Sequence, residues 1–537
     1  MYFGGFTSYD LIIRNGRVVT GLSTYWIDAD VGIKDGKVVE VGYLGRKQAE
    51  EIIDAGGKFV VPGFIDIHNH SDLALIAYPD ALNSLMQGVT TVVIGNCGFS
   101  AAPVTPKALD MVKRFWSQLS FGINVDITWA SFKDYLDALA RVKPAVNVVP
   151  LVGHGTVRIN ALGFSDEVPG TEELDLMKSL VDDAMRSGAF GLSTGLIYPP
   201  NSYASTDEIV ELAKVVRGYG GIYSTHIRSE SNRLLEAISE ALEIGRRAGI
   251  PVEVSHLKAA GRPNWGKIKE VINIVKTYRE EGVEVNYDLY PYTAGSTSLI
   301  SLIPQKFYRD GFEALVSRLR DGGFREEIIK YVGSSSDWEN LLSVLGWDDV
   351  VISYSPNCRD CEGRTILDIS EGLGVNPYDV FFDLIVRDEG KTLMIMHFIN
   401  EEDLIHALKQ PYSNIGSDSF IIPKVGRPHP RFYGTFPRVI KRYVKDLGIL
   451  TIEEAIKKMT SNPAQKLRIR GRGVIAPGCN ADVVVLDVKK LDDRATFEEP
   501  STHPTGVEYV AVNGVVSVWE GNYVGRRNGE VLRKWYM

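Results

Sequence analysis

The sequence predicts an α/β protein built on a (β/α)8 barrel, the TIM barrel architecture, with a small discontinuous β-sandwich domain beside it. Three observations support this fold class. Strand-like and helix-like segments alternate through the middle of the chain, β-prone runs with tight turns occupy both ends, and histidines follow several predicted strand ends. Because such a barrel gathers the carboxyl ends of its strands at one face, the third observation also predicts where a site would lie.

Length and composition are those of a globular chain with a sizeable core. The 537 residues exceed one ordinary domain but suit an α/β barrel with insertions, and 44% are hydrophobic against 24% charged. The net charge of −9 gives no basic surface for nucleic acid or an anionic membrane, and no apolar run reaches 18 residues. Four cysteines are too few for a secreted disulfide framework. We therefore expect a cytoplasmic protein without nucleic-acid or membrane partners.

Eight segments are predicted to be the barrel strands. They are residues 64–70, 90–95, 147–152, 189–193, 221–225, 251–255, 283–287 and 413–417. Amphipathic segments separate several of them, and in residues 266–281 the apolar positions recur at helical spacing. An open doubly wound sheet is the alternative architecture, but no G-x-G-x-x-G turn follows the first strand.

The two ends of the chain share a β-rich texture. Asn15-Gly16 and Asp35-Gly36 are tight-turn dipeptides between β-prone runs, and similar runs return near the C-terminus. A single sandwich built from both ends is therefore favoured over two separate terminal extensions. The predicted division is a β-sandwich of residues 1–61 and 470–537, a barrel of residues 62–469, and an insertion at 305–395 between barrel strands seven and eight. Insertions on that side of a barrel commonly form a lid or a pocket wall.

Six metal-competent side chains fall at predicted strand ends. They are His68, His70, Cys97, His226, His256 and Asp418, and they include four of the nine histidines in the chain. His68 and His70 are two apart on the first strand, so they would point to the same side. Imidazole, thiolate and carboxylate together suit Zn²⁺, whereas a thiolate disfavours Mg²⁺ or Ca²⁺. Two of these residues also have structural explanations. Cys97 could be a small buried apolar residue, and Asp418 could cap the turn that follows it.

The same predicted rim carries side chains that could bind an organic ligand. These candidates are Tyr198, Lys258, Tyr290, Tyr292, Ser296, Arg427 and Arg431. A guanidinium near a metal can bind a substrate carboxylate through two parallel hydrogen bonds. His154 is predicted to line the pocket or serve a structural role, and Cys358 and Cys361 to be free thiols or a local disulfide.

Several motifs together point to a known family. They are Pro62-Gly63-Phe64-Ile65-Asp66 followed by His68 and His70, Gly95-Asn96-Cys97-Gly98-Phe99, Thr225-His226-Ile227-Arg228-Ser229-Glu230, Ser255-His256-Leu257-Lys258 and Arg427-Pro428-His429-Pro430-Arg431. With them the chain resembles the D-aminoacylase (N-acyl-D-amino-acid deacylase) family of the amidohydrolase superfamily, nearly from end to end. Many relatives in that superfamily bridge two metals with a strand-four lysine, which is absent here.

This resemblance implies a metal-dependent hydrolase that cleaves N-acyl-D-amino acids to a carboxylate and a free D-amino acid. It implies one tight zinc on Cys97, His226 and His256, a weaker second site at His68 and His70, and Asp418 as the catalytic acid/base. It also implies a pocket for the N-acyl amino acid, formed by Tyr198, Lys258, Tyr290, Ser296 and Arg431, with Arg431 on the α-carboxylate.

Some alternatives stay open on the sequence. The family commonly has Ser-Asp-Gly where this chain has Ser417-Asp418-Ser419, so side-chain preference and stereospecificity are not fixed by the resemblance. An L-specific aminoacylase, a dipeptidase, a cyclic-amide hydrolase of the hydantoinase or dihydroorotase type and a non-catalytic scaffold are the competing functions. Homo-oligomerisation is also left open.

Overall fold

The computed structural model describes residues 9–119 and 121–536, so the first eight residues of the predicted terminal domain lie outside the described residues. The strands are β1 (Tyr9–Val18), β2 (Ile27–Lys34), β3 (Lys37–Gly42), β4 (Ala49–Asp54), β5 (Phe59–Pro62), β6 (Phe64–Asp66), β7 (Val89–Ile94), β8 (Asn147–Pro150), β9 (Val152–Gly153), β10 (Gly191–Gly195), β11 (Ile222–His226), β12 (Val252–Val254), β13 (Val285–Leu289), β14 (Gly295–Ser298), β15 (Val350–Tyr354), β16 (Leu393–Met396), β17 (Ser413–Ile415), β18 (Val483–Leu486), β19 (Val507–Val512), β20 (Val515–Trp519) and β21 (Asn522–Tyr523). The α-helices are α1 (Ala74–Ala77), α2 (Leu82–Leu85), α3 (Leu109–Ser117), α4 (Phe132–Arg141), α5 (His154–Leu162), α6 (Thr171–Ser187), α7 (Thr206–Gly218), α8 (Leu234–Ala248), α9 (Ile268–Glu280), α10 (Phe312–Arg318), α11 (Gly322–Ser334), α12 (Ile366–Leu373), α13 (Pro377–Arg387), α14 (Glu401–Leu408), α15 (Arg431–Arg438), α16 (Ile452–Met459) and α17 (Ser461–Leu467).

Eight parallel strands form the barrel and confirm the predicted fold class. In order around the ring they are β6, β7, β8, β10, β11, β12, β13 and β17. The ring is completed between β8 and β10 by a hydrogen bond from Phe190 N to Pro150 O at 2.8 Å. Between β17 and β6 it is completed by a parallel bridge that joins Asn69 to Ser419. All eight carboxyl ends therefore meet at one face.

The helices cover the barrel as the apolar periodicity predicts. In α9 the residues at helical spacing, Ile268, Val271, Ile272 and Val275, are all buried against the strands. Helix α7 begins at Ser205, whose side chain accepts a hydrogen bond from Glu208 N. No helix among the described residues is long and apolar enough to cross a membrane.

Both ends of the chain enter one sheet of nine strands. Its order is β21-β20-β19-β18-β5-β1-β2-β3, with β4 also paired to β1, and the antiparallel pair β18–β5 joins the C-terminal strands to the N-terminal ones. Asp35-Gly36 is the two-residue turn between β2 and β3, as its composition predicts.

The predicted turn at Asn15-Gly16 is wrong, because β1 runs without a break from Tyr9 to Val18. Asn15 has a left-handed backbone (φ 58°) and the register with β2 shifts there, which makes the pair a β-bulge. Long-range contacts decide the outcome. Asn15 N donates to Asp30 Oδ1 at 2.8 Å, and a Cβ on Gly16 would lie 2.4 Å from Val60 Cγ2.

The segment between β13 and β17 contains a small subdomain. Strands β14, β16 and β15 form an antiparallel sheet, with helices α10 to α13 along the same stretch of chain. It has its own apolar core, which includes Leu299, Phe307, Ile328 and Phe381. The sheet begins at Gly295, ten residues before the predicted start of the insertion at residue 305. Its strands β14 and β16 carry Ser296 and Met396, which line the cavity at the rim of the barrel.

Candidate active site

The predicted ligands do meet at the carboxyl face of the barrel. His226 is the last residue of β11, and His256, Cys97 and Asp418 follow β12, β7 and β17 by two or three residues. The first strand is shorter than predicted: β6 ends at Asp66, so His68 and His70 lie in the loop that follows it. Even so, their Nε2 atoms lie 3.6 Å and 3.1 Å from Asp418 Oδ1.

Cys97 stands at the centre of a group of three imidazoles. Its Sγ is 3.3 Å from His68 Nε2, 3.6 Å from His256 Nε2 and 4.0 Å from His226 Nδ1. Tetrahedral zinc, with Zn–S near 2.3 Å and Zn–N near 2.0–2.1 Å, separates sulfur and nitrogen ligands by about 3.6 Å. Cys97, His68 and His256 are thus spaced as ligands of one ion, with His226 slightly farther from the thiol, and their chemistry fits zinc.

A second group of donors adjoins the first. His68, His70 and Asp418 offer atoms that all lie within 4.8 Å of one another, and so do His68, Cys97 and His256. His68 therefore belongs to both groups, where the sequence assigned it only to the His-x-His pair. A third group consists of His226, Glu230 and His256, so the described residues give three overlapping metal-competent groups that share the imidazoles of His68 and His256.

Three of these residues have a left-handed backbone. The φ angles are 52° at Cys97, 34° at His256 and 50° at Asp418. Side chains larger than glycine's rarely adopt this conformation, and strain of this kind clusters at functional sites because surrounding contacts hold it. The strained backbone at these three positions orients the thiol, the imidazole and the carboxylate towards the same cavity.

Two carboxylates that orient the imidazoles were missed by the sequence analysis. Glu230 Oε1 lies 2.9 Å from His256 Nδ1 and 2.5 Å from Lys258 Nζ. Asp288 Oδ1 accepts a hydrogen bond from His256 N at 2.9 Å and lies 3.3 Å from His68 Nδ1. Carboxylates behind ligating histidines fix ring orientation and tautomer. The available signals were a carboxylate four residues after His226 and another immediately after predicted strand seven.

We expect Glu230→Gln to weaken zinc binding by about 10–100-fold, because the charge that holds His256 and Lys258 would be lost. The measurement is the zinc dissociation constant in competition with a chromophoric chelator. Glu236→Gln is the matched control, since Glu236 is exposed and forms its ion pair, among the described residues, with Arg233. Equal zinc affinities in the two variants would remove Glu230 from this role.

The electrostatics of the site favour a thiolate and an ionised carboxylate. Burial raises the pKa of the Cys97 thiol, but His68, His226 and His256 outweigh it and hold that pKa well below its usual value. Burial likewise raises the pKa of Asp418, and the charges of Arg431 and the nearby histidines bring it well below the usual range. Both groups are therefore charged at neutral pH.

The predicted ligand-binding residues border the same cavity at the carboxyl face of the barrel. Tyr198, Lys258, Tyr290, Ser296 and Arg431 all line it, together with Cys97, His226, His256, His70 and Asp418. Tyr292 and Arg427 do not line it: the Tyr292 hydroxyl donates to Pro430 O, and Arg427 packs beside Ser353 and Gly363.

Arg431 is the most deeply buried cation of the cavity, with 1% of its surface exposed. Its Nη2 is 2.9 Å from Asp418 Oδ2 and donates to Ser296 O, and the guanidinium lies 4.6 Å from the centre of the Tyr290 ring. Nε and Nη1 have no hydrogen-bond partner among the described residues. A buried arginine that lines a cavity and has unused donors is suited to bind an anion.

Two other predicted features lie outside the cavity. His154 is fully buried and contacts Asn201 and Glu208, at 3.0 Å and 2.8 Å, so its position is structural. Cys358 and Cys361 form a local disulfide in the inserted subdomain, which was one of the two predicted states.

Known proteins resemble the chain over almost its whole length. The amidohydrolase family matches residues 51–329 and 407–518. The chain is 33% identical to a D-aminoacylase of Alcaligenes xylosoxydans xylosoxydans over 98% of both chains, and 32% identical to an N-acyl-D-glutamate deacylase of the same organism over 98% of this chain and 96% of that one. The crystal structure of an N-acyl-D-glutamate deacylase from Bordetella bronchiseptica, complexed with zinc and a phosphonate mimic of the tetrahedral intermediate, superposes with a TM-score of 0.82, at 33% identity, over 98% of this chain and 100% of that one.

Proposed function

The chain belongs to the amidohydrolase family, and from this premise we propose that it is a zinc-dependent hydrolase of N-acyl-D-amino acids, with a carboxylate and a free D-amino acid as products. One observation carries the proposal. One cavity is lined by Cys97, by the neighbouring imidazoles and by the buried Arg431. Nε and Nη1 of Arg431 have no hydrogen-bond partner among the described residues. This pairing suits a linear substrate with an amide to cleave and a carboxylate to anchor.

Zinc is the proposed cofactor because the donors are one thiolate and several imidazoles. As the family resemblance implies, Cys97, His226 and His256 would hold the tight ion; His226 Nδ1 and His256 Nε2 lie 4.0 Å and 3.6 Å from Cys97 Sγ. His68, His70 and Asp418 would form a second, weaker site. When bound, zinc lowers the pKa of a water molecule from about 16 to roughly 7 and polarises the acyl carbonyl.

Asp418 is the proposed general acid/base. Its Oδ2 is engaged by Arg431, which leaves Oδ1 on the side of His70 and His68. Its low pKa means that it starts ionised, so it can accept a proton from the attacking water and then pass that proton to the leaving nitrogen.

The remaining polar groups position the substrate. Arg431 is proposed to hold the α-carboxylate, with Lys258, Tyr290, Ser296 and Tyr198 around the rest of the substrate. Burial raises the pKa of Tyr290 to about 12 and holds that of Tyr198 well above its usual value, so both phenols stay protonated and can donate to substrate oxygens.

The direct test of the function is turnover with a defined metal content. Protein stripped with a chelator would be reloaded with one or two equivalents of Zn²⁺ and assayed on N-acetyl-D- and N-acetyl-L-amino acids, with a hydantoin as the cyclic amide. We expect one equivalent to restore hydrolysis of the D-substrates. Activity confined to the L-substrates or to the hydantoin would contradict the proposal, and so would a lack of any metal dependence.

Arg431→Ala is expected to raise KM for N-acyl-D-amino acids by about 10–100-fold, because a charge-assisted hydrogen bond contributes about 1.5–3 kcal/mol. The variant also frees Asp418, so kcat will fall as well. To isolate the anchor, KM is also measured for the corresponding N-acyl-D-amino-acid amides, which lack the α-carboxylate. The KM of these amides should change little in Arg431→Ala. Arg427→Ala is the control, and a larger effect there would move the anchor to Arg427.

The division of the chain follows the same proposal. We propose that residues 62–469 form the catalytic barrel, with residues 305–395 as its insertion, and that residues 1–61 and 470–537 form the supporting β-sandwich; the β18–β5 pair supports this division. We also propose a cytoplasmic location, because the chain has only four cysteines.

A further inference from the structure

Similarity alone does not choose between neutral and acidic substrates for this chain. It is 33% identical to the D-aminoacylase and 32% identical to the N-acyl-D-glutamate deacylase, over almost the same length. The two substrate classes differ in one respect that matters physically. An acidic substrate brings a second carboxylate into the cavity, and a buried charge needs a partner.

The lysine and the arginine of the cavity are already paired with carboxylates. Among the described residues that line it, Lys258 and Arg431 are the lysine and arginine, and Glu230 and Asp418 are the carboxylates. Lys258 Nζ is 2.5 Å from Glu230 Oε1, and Arg431 Nη2 is 2.9 Å from Asp418 Oδ2. Each cation thus has an anionic partner within the protein.

Among the described residues that line the cavity, Arg431 is the cation whose side chain has buried donors without a hydrogen-bond partner. Its Nε and Nη1 suffice for the single α-carboxylate of the proposed substrate. Lys258 is a poor partner for a second carboxylate, because its Nζ also lies 2.8 Å from His256 Nδ1 and its departure would leave Glu230 buried without a counter-charge.

The wall beside the proposed anchor is apolar. Ser296, whose carbonyl accepts from Arg431, pairs with Ile395 on β16, and the next residue of that strand, Met396, lines the cavity. Gly295 pairs with Met396, and a Cβ there would lie 2.7 Å from Phe398 Cε1. The rest of the wall includes Leu119, Phe121, Leu341, Leu393 and Phe420.

We infer that the substrate carries one carboxylate only and that its D-amino-acid side chain is neutral and apolar. This inference rests on the proposed function. It follows because the side chain leaves the α-carbon next to the anchored carboxylate and so meets the apolar wall. An aspartyl or glutamyl side chain would meet the same wall without a cation to pair with.

A matched panel of substrates tests the inference on the zinc-loaded enzyme. N-acetyl-D-methionine, N-acetyl-D-glutamine and N-acetyl-D-glutamate have side chains of similar length and differ in polarity and charge. We expect kcat/KM to be highest for methionine, lower for glutamine and at least about 100-fold lower for glutamate than for methionine. A preference for glutamate or aspartate would overturn the inference and leave the proposed function intact. No hydrolysis of any N-acyl-D-amino acid would overturn both.

A variant designed to accept acidic substrates provides a second, independent test. Met396→Arg places a cation in the apolar wall, and we expect the ratio of kcat/KM for glutamate to that for methionine to rise at least about tenfold. Met396→Leu is the matched control, which keeps the wall apolar and should leave the ratio unchanged. If Met396→Arg folds and the ratio does not rise, the wall at Met396 does not contact the side chain and the inference is overturned. If Met396→Arg does not fold, the wild-type panel decides.

Discussion

Asp418→Asn is expected to lower kcat by about 10²–10⁴-fold while zinc remains bound. The amide keeps the size of the side chain and an oxygen towards His70, but it cannot take up a proton from water or return one to the leaving nitrogen. Because the tight ligands Cys97, His226 and His256 are untouched, about one equivalent of zinc should still copurify. The measurements are steady-state kinetics and metal content on the same preparation.

The control for this variant is Asp492→Asn, which changes a carboxylate that does not line the cavity. It should have wild-type kinetics. A near-normal kcat for Asp418→Asn would transfer the acid/base role to another group, and loss of zinc in that variant would show that Asp418 is mainly a ligand.

Cys97→Ser is expected to remove the tight zinc and with it the activity. The thiolate lies 3.3–4.0 Å from three imidazoles, so the substitution removes the sulfur ligand that these imidazoles surround. Even partners behind the ligands change metal affinity by about 10–100-fold, so a lost ligand should cost more than about 100-fold in zinc affinity. The stabilisation of the fold by added zinc, measured as the shift in Tm, should shrink accordingly.

The chain provides a matched control for this prediction. Cys479 is the other free cysteine and lies in the loop before β18, away from the cavity. Cys479→Ser should keep the zinc content and the Tm shift of the wild type. If Cys97→Ser kept tight zinc, the ion would rest on the histidines alone, and the group of His68, His70 and Asp418 would become the primary site.

The sequence by itself determined which residues stand at the ends of the barrel strands. Strand periodicity, breaker residues and helical spacing are local properties, and a closed parallel barrel then brings every strand end to one face. This is why Cys97, His226, His256 and Asp418 could be selected before any distance was known. The resemblance added the chemistry, since residue types alone do not distinguish one amide substrate from another.

Tertiary structure decided what depends on contacts between distant parts of the chain. Asn15-Gly16 has the composition of a turn, yet Asp30 and Val60 hold it as a bulge inside β1. The place of His68 beside Cys97 and the supporting contacts of Glu230 and Asp288 follow from how the strand ends converge, which no local pattern records. The apolar wall beside Arg431 is also a property of the assembled structure, because it joins side chains from the barrel and from the inserted subdomain.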